Sequence, residues 1–207
     1  MKVGRWLVLI RNQYSEVLMK KLVLGMIALT FLASCNQSGE QGMGGGKGMK
    51  SSISLTELNS IPNADLTDAQ EDGLVYMLEE EKMARDVYLT FNSMYGQKVF
   101  SNISGSEQKH MDSVNQLVIK YNLNFSVSPQ VGYFYNNELQ TTYNQLIARG
   151  STSLKAALEV GRDIELIDIA DLQRELQNVP ADLTLVYQNL LNASYNHLSA
   201  FERNLSN

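Results

Sequence analysis

Only three prolines interrupt the 207 residues, Pro62, Pro129 and Pro180. Each falls between segments in which apolar residues recur every three to four positions. Proline lacks an N–H and clashes with the preceding turn, so helices end at or before it. A chain with so few breaks and this spacing is restricted to long amphipathic helices. Four are expected. Helix A covers about residues 67–95, with Thr67 or Asp68 as cap, Gln70 or Glu71 completing a capping box, and Gly96 as its stop. Helix B covers about 101–122, helix C about 153–178 and helix D about 181–205. No segment of useful length alternates with the period of a strand. The A–B and C–D connections are short, whereas B–C is roughly 30 residues long and contains a shorter helix at about 137–148. Two helical hairpins joined by one long crossover give an all-α, ferritin-like four-helix bundle.

Each apolar stripe carries polar residues near its middle: Glu81 on A, Glu107 and His110 on B, Glu165 and Asp168 on C, and His197 on D. Both histidines of the chain are among them. In the quartet Glu107-Gln108-Lys109-His110, carboxylate and imidazole are one turn apart on one helical face. Burying a carboxylate costs several kcal/mol unless it is paired or bound to metal. Four acids and two imidazoles at similar heights in one bundle therefore point to bound cations. Oxygen and nitrogen ligands suit iron or manganese, and no soft thiolate set is present. Blander readings exist for each residue. Glu81 lies in the run Glu79-Glu80-Glu81-Lys82, which could be a charged face paired to Lys82 and Arg85. Asp168 could face water, and His197 could be a core histidine with ordinary partners.

These segments resemble known proteins. Glu81-Lys82-Met83-Ala84-Arg85-Asp86-Val87-Tyr88 is similar to the first-helix pattern of rubrerythrin-type proteins, and Glu107 with His110 matches their second helix. Glu165 and Asp168 resemble their third-helix acids, with Asp for Glu, and His197 matches their fourth-helix histidine. More closely, residues 66–205 resemble the ferritin-like DUF2202 family, through Ser106 to Asp112, Ile164 to Leu172 and Asn196 to Phe201 as well as the first segment. The resemblance implies a dinuclear carboxylate site. In it Glu81, Glu107, Glu165, His110 and His197 are ligands, and Asp168 is a labile ligand or an outer acid. Arg85 would pair with a ligand carboxylate, and Tyr88 and Tyr195 would donate hydrogen bonds or electrons. Rubrerythrin-like proteins carry glutamate where this chain has Ser194. The site is therefore expected to be asymmetric or partly occupied.

The N-terminal third reads differently. Met19-Lys20-Lys21, an apolar run from Leu22 to Leu32, and Leu32-Ala33-Ser34-Cys35 have the layout of a secretory signal. Leu32 to Cys35 also resembles a bacterial lipobox, which implies a lipid anchor at Cys35 and residence at the cell envelope, on the periplasmic or outer-membrane side. The alternative is a plain secretory signal. Residues 1–18 suit an n-region poorly, so either translation starts at Met19 or the first segment extends the n-region. The organisation read is 1–35 leader, 36–64 flexible Gly/Ser/Met-rich tether, and 65–207 helical domain. Met43 and Met49 could bind copper, but they suit a linker better. Cys35 is the only cysteine, so there is no internal disulfide and no Cys-x-x-Cys iron centre. The net charge of −5 disfavours a nucleic-acid surface.

The expected function is an envelope-anchored di-iron or di-manganese redox protein acting on peroxide, oxygen or Fe(II). The alternatives are a non-enzymatic metal-binding or stress protein, and a metal-free interaction module. A homodimer is an admissible assembly, and the sequence names no redox partner.

Overall fold

A computed structural model describes residues 55–206. The leader, Cys35, Met43, Met49 and the tether up to residue 54 lie outside the described residues. Those described are helices and connections, with no strand among them. In chain order the helices are α1 Leu55–Asn59, α2 Asp68–Tyr95, α3 Lys98–Lys120, α4 Asn137–Gly150, α5 Leu154–Glu175 and α6 Ala181–Leu205.

Local chemistry accounts for most boundaries. Thr67 caps α2, its side chain accepting from the Gln70 N–H while the Gln70 side chain accepts from the Thr67 N–H. The helix stops at Gly96, whose φ of 63° is left-handed and natural to glycine. Ser153 and Asn136 cap α5 and α4 through their side chains. The expected starts and stops shift modestly. α3 begins at Lys98 rather than near 101, α4 continues to Gly150, and α5 ends at Glu175, before Asn178 at φ 64°.

α2 packs along α3, and α5 along α6. The pairs meet through α3 with α6 and α2 with α5, while α4 lies against α5 and α2. The apolar residues form two clusters. One includes Val87, Phe91, Phe100, Ala157 and Phe201. The other includes Leu74, Val114, Leu117, Leu172 and Leu190. On every long helix the interrupting polar residues lie between the stretches that feed the two clusters. α2 and α6 run from the second cluster to the first and α3 and α5 from the first to the second, so these positions come to one level: a polar layer between two apolar ones.

Two features depart from the expected organisation. The tether was expected to reach residue 64, but Leu55–Asn59 are helical, and Leu58 is fully buried with Leu74, Leu117 and Leu183. The cause is the end of the bundle: the Lys120 ammonium donates to the Leu58 and Ile61 carbonyls and pairs with buried Asp182 at 2.6 Å. The run Glu79 to Lys82 is also not a solvated face, since all four residues are buried. The crossover lies over part of it. Glu79 accepts from the Tyr135 and Asn136 N–H groups, and Lys82 donates to the Gln130 and Tyr133 carbonyls while pairing with Asp86. Residue spacing gives no signal for these anchors beyond the i, i+4 pairing of Lys82 with Asp86.

Candidate metal centre

Each long helix contributes to the polar layer because its stripe points inward there. α2 supplies Glu81, α3 Glu107 and His110, α5 Glu165, and α6 His197. All five are buried. They form two groups of three, Glu81–Glu107–His110 and Glu107–Glu165–His197, with one potential ligand atom from each residue lying within 4.8 Å of the others in its group.

Glu107 belongs to both groups. Its Oε2 lies 2.7 Å from His110 Nδ1 and its Oε1 lies 2.9 Å from His197 Nδ1. Glu81 Oε2 is 3.2 Å from His110 Nδ1, and Glu165 Oε2 is 3.4 Å from His197 Nδ1. The two imidazole rings stack 5.5 Å apart. His197 Nδ1 makes no well-formed hydrogen bond despite its close oxygens, and Glu81 Oε1 is buried without a partner. His110 Nδ1 and Glu81 Oε2 are hydrogen-bonded, but an imidazole nitrogen facing two oxygens without hydrogen-bond geometry, and one orphaned carboxylate oxygen, fit a cation better than they fit one another. The set is three carboxylates and two imidazoles, a donor chemistry suited to iron or manganese.

The electrostatics of the metal-free cluster agree. Burial alone disfavours charge on every member. It raises Glu81 to about 7, against the opposing pull of His110. Glu107 feels the same burial, but the two imidazoles beside it outweigh that effect and hold it below the usual carboxylate range. The histidines mirror it. Burial lowers His197, yet Glu107 and Glu165 raise it to about 10. His110 is driven well above its ordinary value by Glu107 and Glu81. Burial and the charge of Glu107 raise Glu165. Protons on the imidazoles thus supply positive charge that divalent ions could supply instead.

The remaining expected residues divide. Tyr88 is wholly buried and donates to Glu165 Oε1 at 2.6 Å, so it does hydrogen-bond a carboxylate of the layer. Asp168 is buried but stands outside both groups of three. Its Oδ2 is hydrogen-bonded with the Ser194 hydroxyl, and its Oδ1 has no partner. Ser194 Oγ also lies 2.9 Å from the Leu190 carbonyl. A hydroxyl has one proton and a carbonyl only accepts, so a protonated Asp168 satisfies both contacts. Burial, with Glu81 and Glu165 nearby, pushes Asp168 well above the usual range in the same sense. Arg85 does not pair with a candidate ligand. Its guanidinium donates to Asp86 and Gln108, because its long stem carries the charge toward the half-exposed side of α2. Tyr195 is also elsewhere: it is 44% exposed, and its hydroxyl accepts from Gln173. One residue beyond Ser194 is a rotation of about 100°, which turns it out of the bundle.

The chain belongs to the DUF2202 family, described as "Uncharacterized protein domain (DUF2202)", which matches residues 70–207. It is similar to the uncharacterized protein MJ0754 of Methanocaldococcus jannaschii, at 41% identity over 155 residues covering 74% of this chain and 84% of that protein. It is similar also to the crystal structure of hypothetical protein MJ0754 from Methanococcus jannaschii, at 40% identity and a TM-score of 0.69, covering 70% of this chain and 85% of that one.

Proposed function

We propose that this DUF2202 protein is a ferritin-like four-helix bundle that holds two iron or manganese ions and does redox work on peroxide, oxygen or Fe(II). One observation carries the reading: the two oxygens of Glu107 are divided between His110 and His197, at 2.7 and 2.9 Å. That is the disposition of a carboxylate bridging two cations, each completed by one glutamate and one imidazole. Glu81 and His110 would hold one ion, and Glu165 and His197 the other. Bound metals would supply electron storage and polarisation of an oxygen species between them.

The chain's own residues have separable tasks. Glu107 sets the spacing of the two positions. Tyr88 fixes Glu165 through its hydroxyl and keeps one carboxylate oxygen oriented. Ser194 keeps Asp168 turned toward itself, so the fourth helix offers imidazole alone as a strong ligand. The apolar clusters on either side exclude water, which strengthens every charge interaction within the layer. At its other end we propose a lipid anchor at Cys35, on the strength of Leu32-Ala33-Ser34-Cys35 and the tether that follows.

The deep burial of all five ligands favours a second reading, in which the metal is held without turnover. One experiment addresses both. Residues 36–207 are purified, loaded with ferrous iron under argon, assayed for iron per chain, and pulsed with peroxide while the visible spectrum is followed. Two ions and a prompt spectral change are expected. Bound iron with an unchanged spectrum supports the non-enzymatic reading. No bound metal after reconstitution eliminates both.

A further inference from the structure

Tyr88 stands where the polar layer meets the apolar cluster around Phe100. A fully buried phenol costs more than phenylalanine unless its hydroxyl is satisfied, and here the hydroxyl is committed to Glu165 Oε1, with the Gly161 carbonyl 3.3 Å away. The aromatic rings continue outward from it. The Phe100 centroid lies 6.4 Å from that of Tyr88, Phe91 is 5.6 Å from Phe100, and Tyr95 is 6.3 Å from Phe91. The file is closely built: a Cβ at Gly150 would stand 2.0 Å from the Phe91 ring, so only glycine admits it there. Tyr95 is partly exposed at the end of α2, its hydroxyl donating to the Gly150 carbonyl. Seven residues separate the two tyrosines on one helix, about 10 Å along its axis. Residues 36–207 contain no cysteine, so this domain has no thiolate-held centre from which to draw electrons.

We propose that Tyr88 and Tyr95 are the inner and outer stations of a one-electron path between the carboxylate–histidine layer and the protein surface, with Phe100 and Phe91 bridging the gap. The path rests on the redox reading above. Its oxidant is hydrogen peroxide, which takes up two electrons and two protons to give two waters. In each of two turns Tyr88 passes one electron inward and its phenolic proton to Glu165 Oε1, becoming a neutral tyrosyl radical. An electron from Tyr95 and the proton returned by Glu165 restore the Tyr88 phenol. Tyr95 releases its own proton to solvent, and one electron from an external one-electron reductant with one proton from water restores it. Over two turns the reductant supplies both electrons and the solvent both protons. Phenylalanine is too hard to oxidise to hold the charge itself; its rings shorten the step between two residues that can.

The test is rapid-freeze electron paramagnetic resonance after a peroxide pulse on the iron-loaded chain first oxidised to the ferric state, so that ferrous iron does not supply the two electrons peroxide takes, with bound iron measured in every sample. Wild type is expected to give an organic radical signal with tyrosyl hyperfine structure. Tyr88→Phe should still bind iron, at an affinity lowered by about 10–100-fold through loss of the hydrogen bond to Glu165, and at saturating iron should lose that signal. Tyr95→Phe should keep it and prolong its lifetime when ascorbate is added, because refilling from outside is cut. The path is overturned by ferric iron that is bound, with peroxide consumed and no radical in wild type, by a radical that persists in Tyr88→Phe, or by a lifetime indifferent to Tyr95→Phe. A chain that binds no iron removes the metal reading itself, and the path with it.

Discussion

Replacing Glu107 by Gln keeps the size of the shared side chain and removes its charge. In the metal-free chain the damage falls on the two imidazoles. His197 carries a raised value of about 10, so shedding its proton at neutral pH gives up roughly 4 kcal/mol on that side, and His110, raised by the same carboxylate, adds to the loss. The true loss is smaller, because Glu81 remains 3.2 Å from His110 and Glu165 remains 3.4 Å from His197. The variant should therefore fold. Metal binding should respond far more. Each position loses one of its three ligands, and loss of even an outer-shell partner commonly costs about 10–100-fold in affinity. More than about 100-fold at each position follows for the loss of a direct ligand. Glu81→Gln and Glu165→Gln touch one group each. Calorimetric titration with manganese should resolve two ions in wild type, one strong site in each single-group variant, and none in Glu107→Gln. Two undiminished sites in Glu107→Gln, or loss of both in Glu81→Gln alone, refutes a shared carboxylate.

Three further outcomes are expected. Ser194→Ala leaves buried Asp168 Oδ2 without its partner and should cost about 1–3 kcal/mol in urea unfolding, while metal content stays at two per chain; a drop in content would place Asp168 among the ligands. Leu58→Ala should cost about 2–5 kcal/mol, and an unchanged melting temperature would show that α1 contributes no packing. The metal-free chain should lose stability as pH rises. Stabilisation by His197 is complete below its ordinary value near 6.5 and is lost as pH passes the folded value of about 10. Glu81, raised to about 7, acts in the same direction earlier, because the unfolded chain ionises first. Metal-loaded protein should resist this decline, and parallel melting curves for the two forms across pH 6–10 would contradict the exchange of protons for ions.

Much of this arrangement was readable from residue order because it depends on period. Thr67 with Gln70 announced the start of α2, and Gly96 its end. The positions of Glu81, Glu107, His110, Glu165 and His197 on apolar stripes predicted one buried layer, since a 3.6-residue period fixes which side chains share a face. Tertiary neighbours decided the rest. Arg85 sits four residues from Glu81, yet its charge is taken by Asp86 beside it and Gln108 on the facing helix. Asp168 lies three residues from Glu165, but Ser194 on the facing helix holds it. Leu58 stands in a polar stretch with no periodicity to mark it. It is buried because Lys120 and Asp182, roughly sixty and more residues away, hold its backbone at the bundle end.

The central claim is that Glu107 bridges two cations. Crystals of the metal-free chain soaked in manganese, with anomalous diffraction recorded at the manganese edge, test it directly. Two peaks are predicted inside the bundle, one between Glu81 and His110 and one between Glu165 and His197, with the Glu107 carboxylate between them. No peak in that layer, or a single peak with Glu107 turned away, would contradict it.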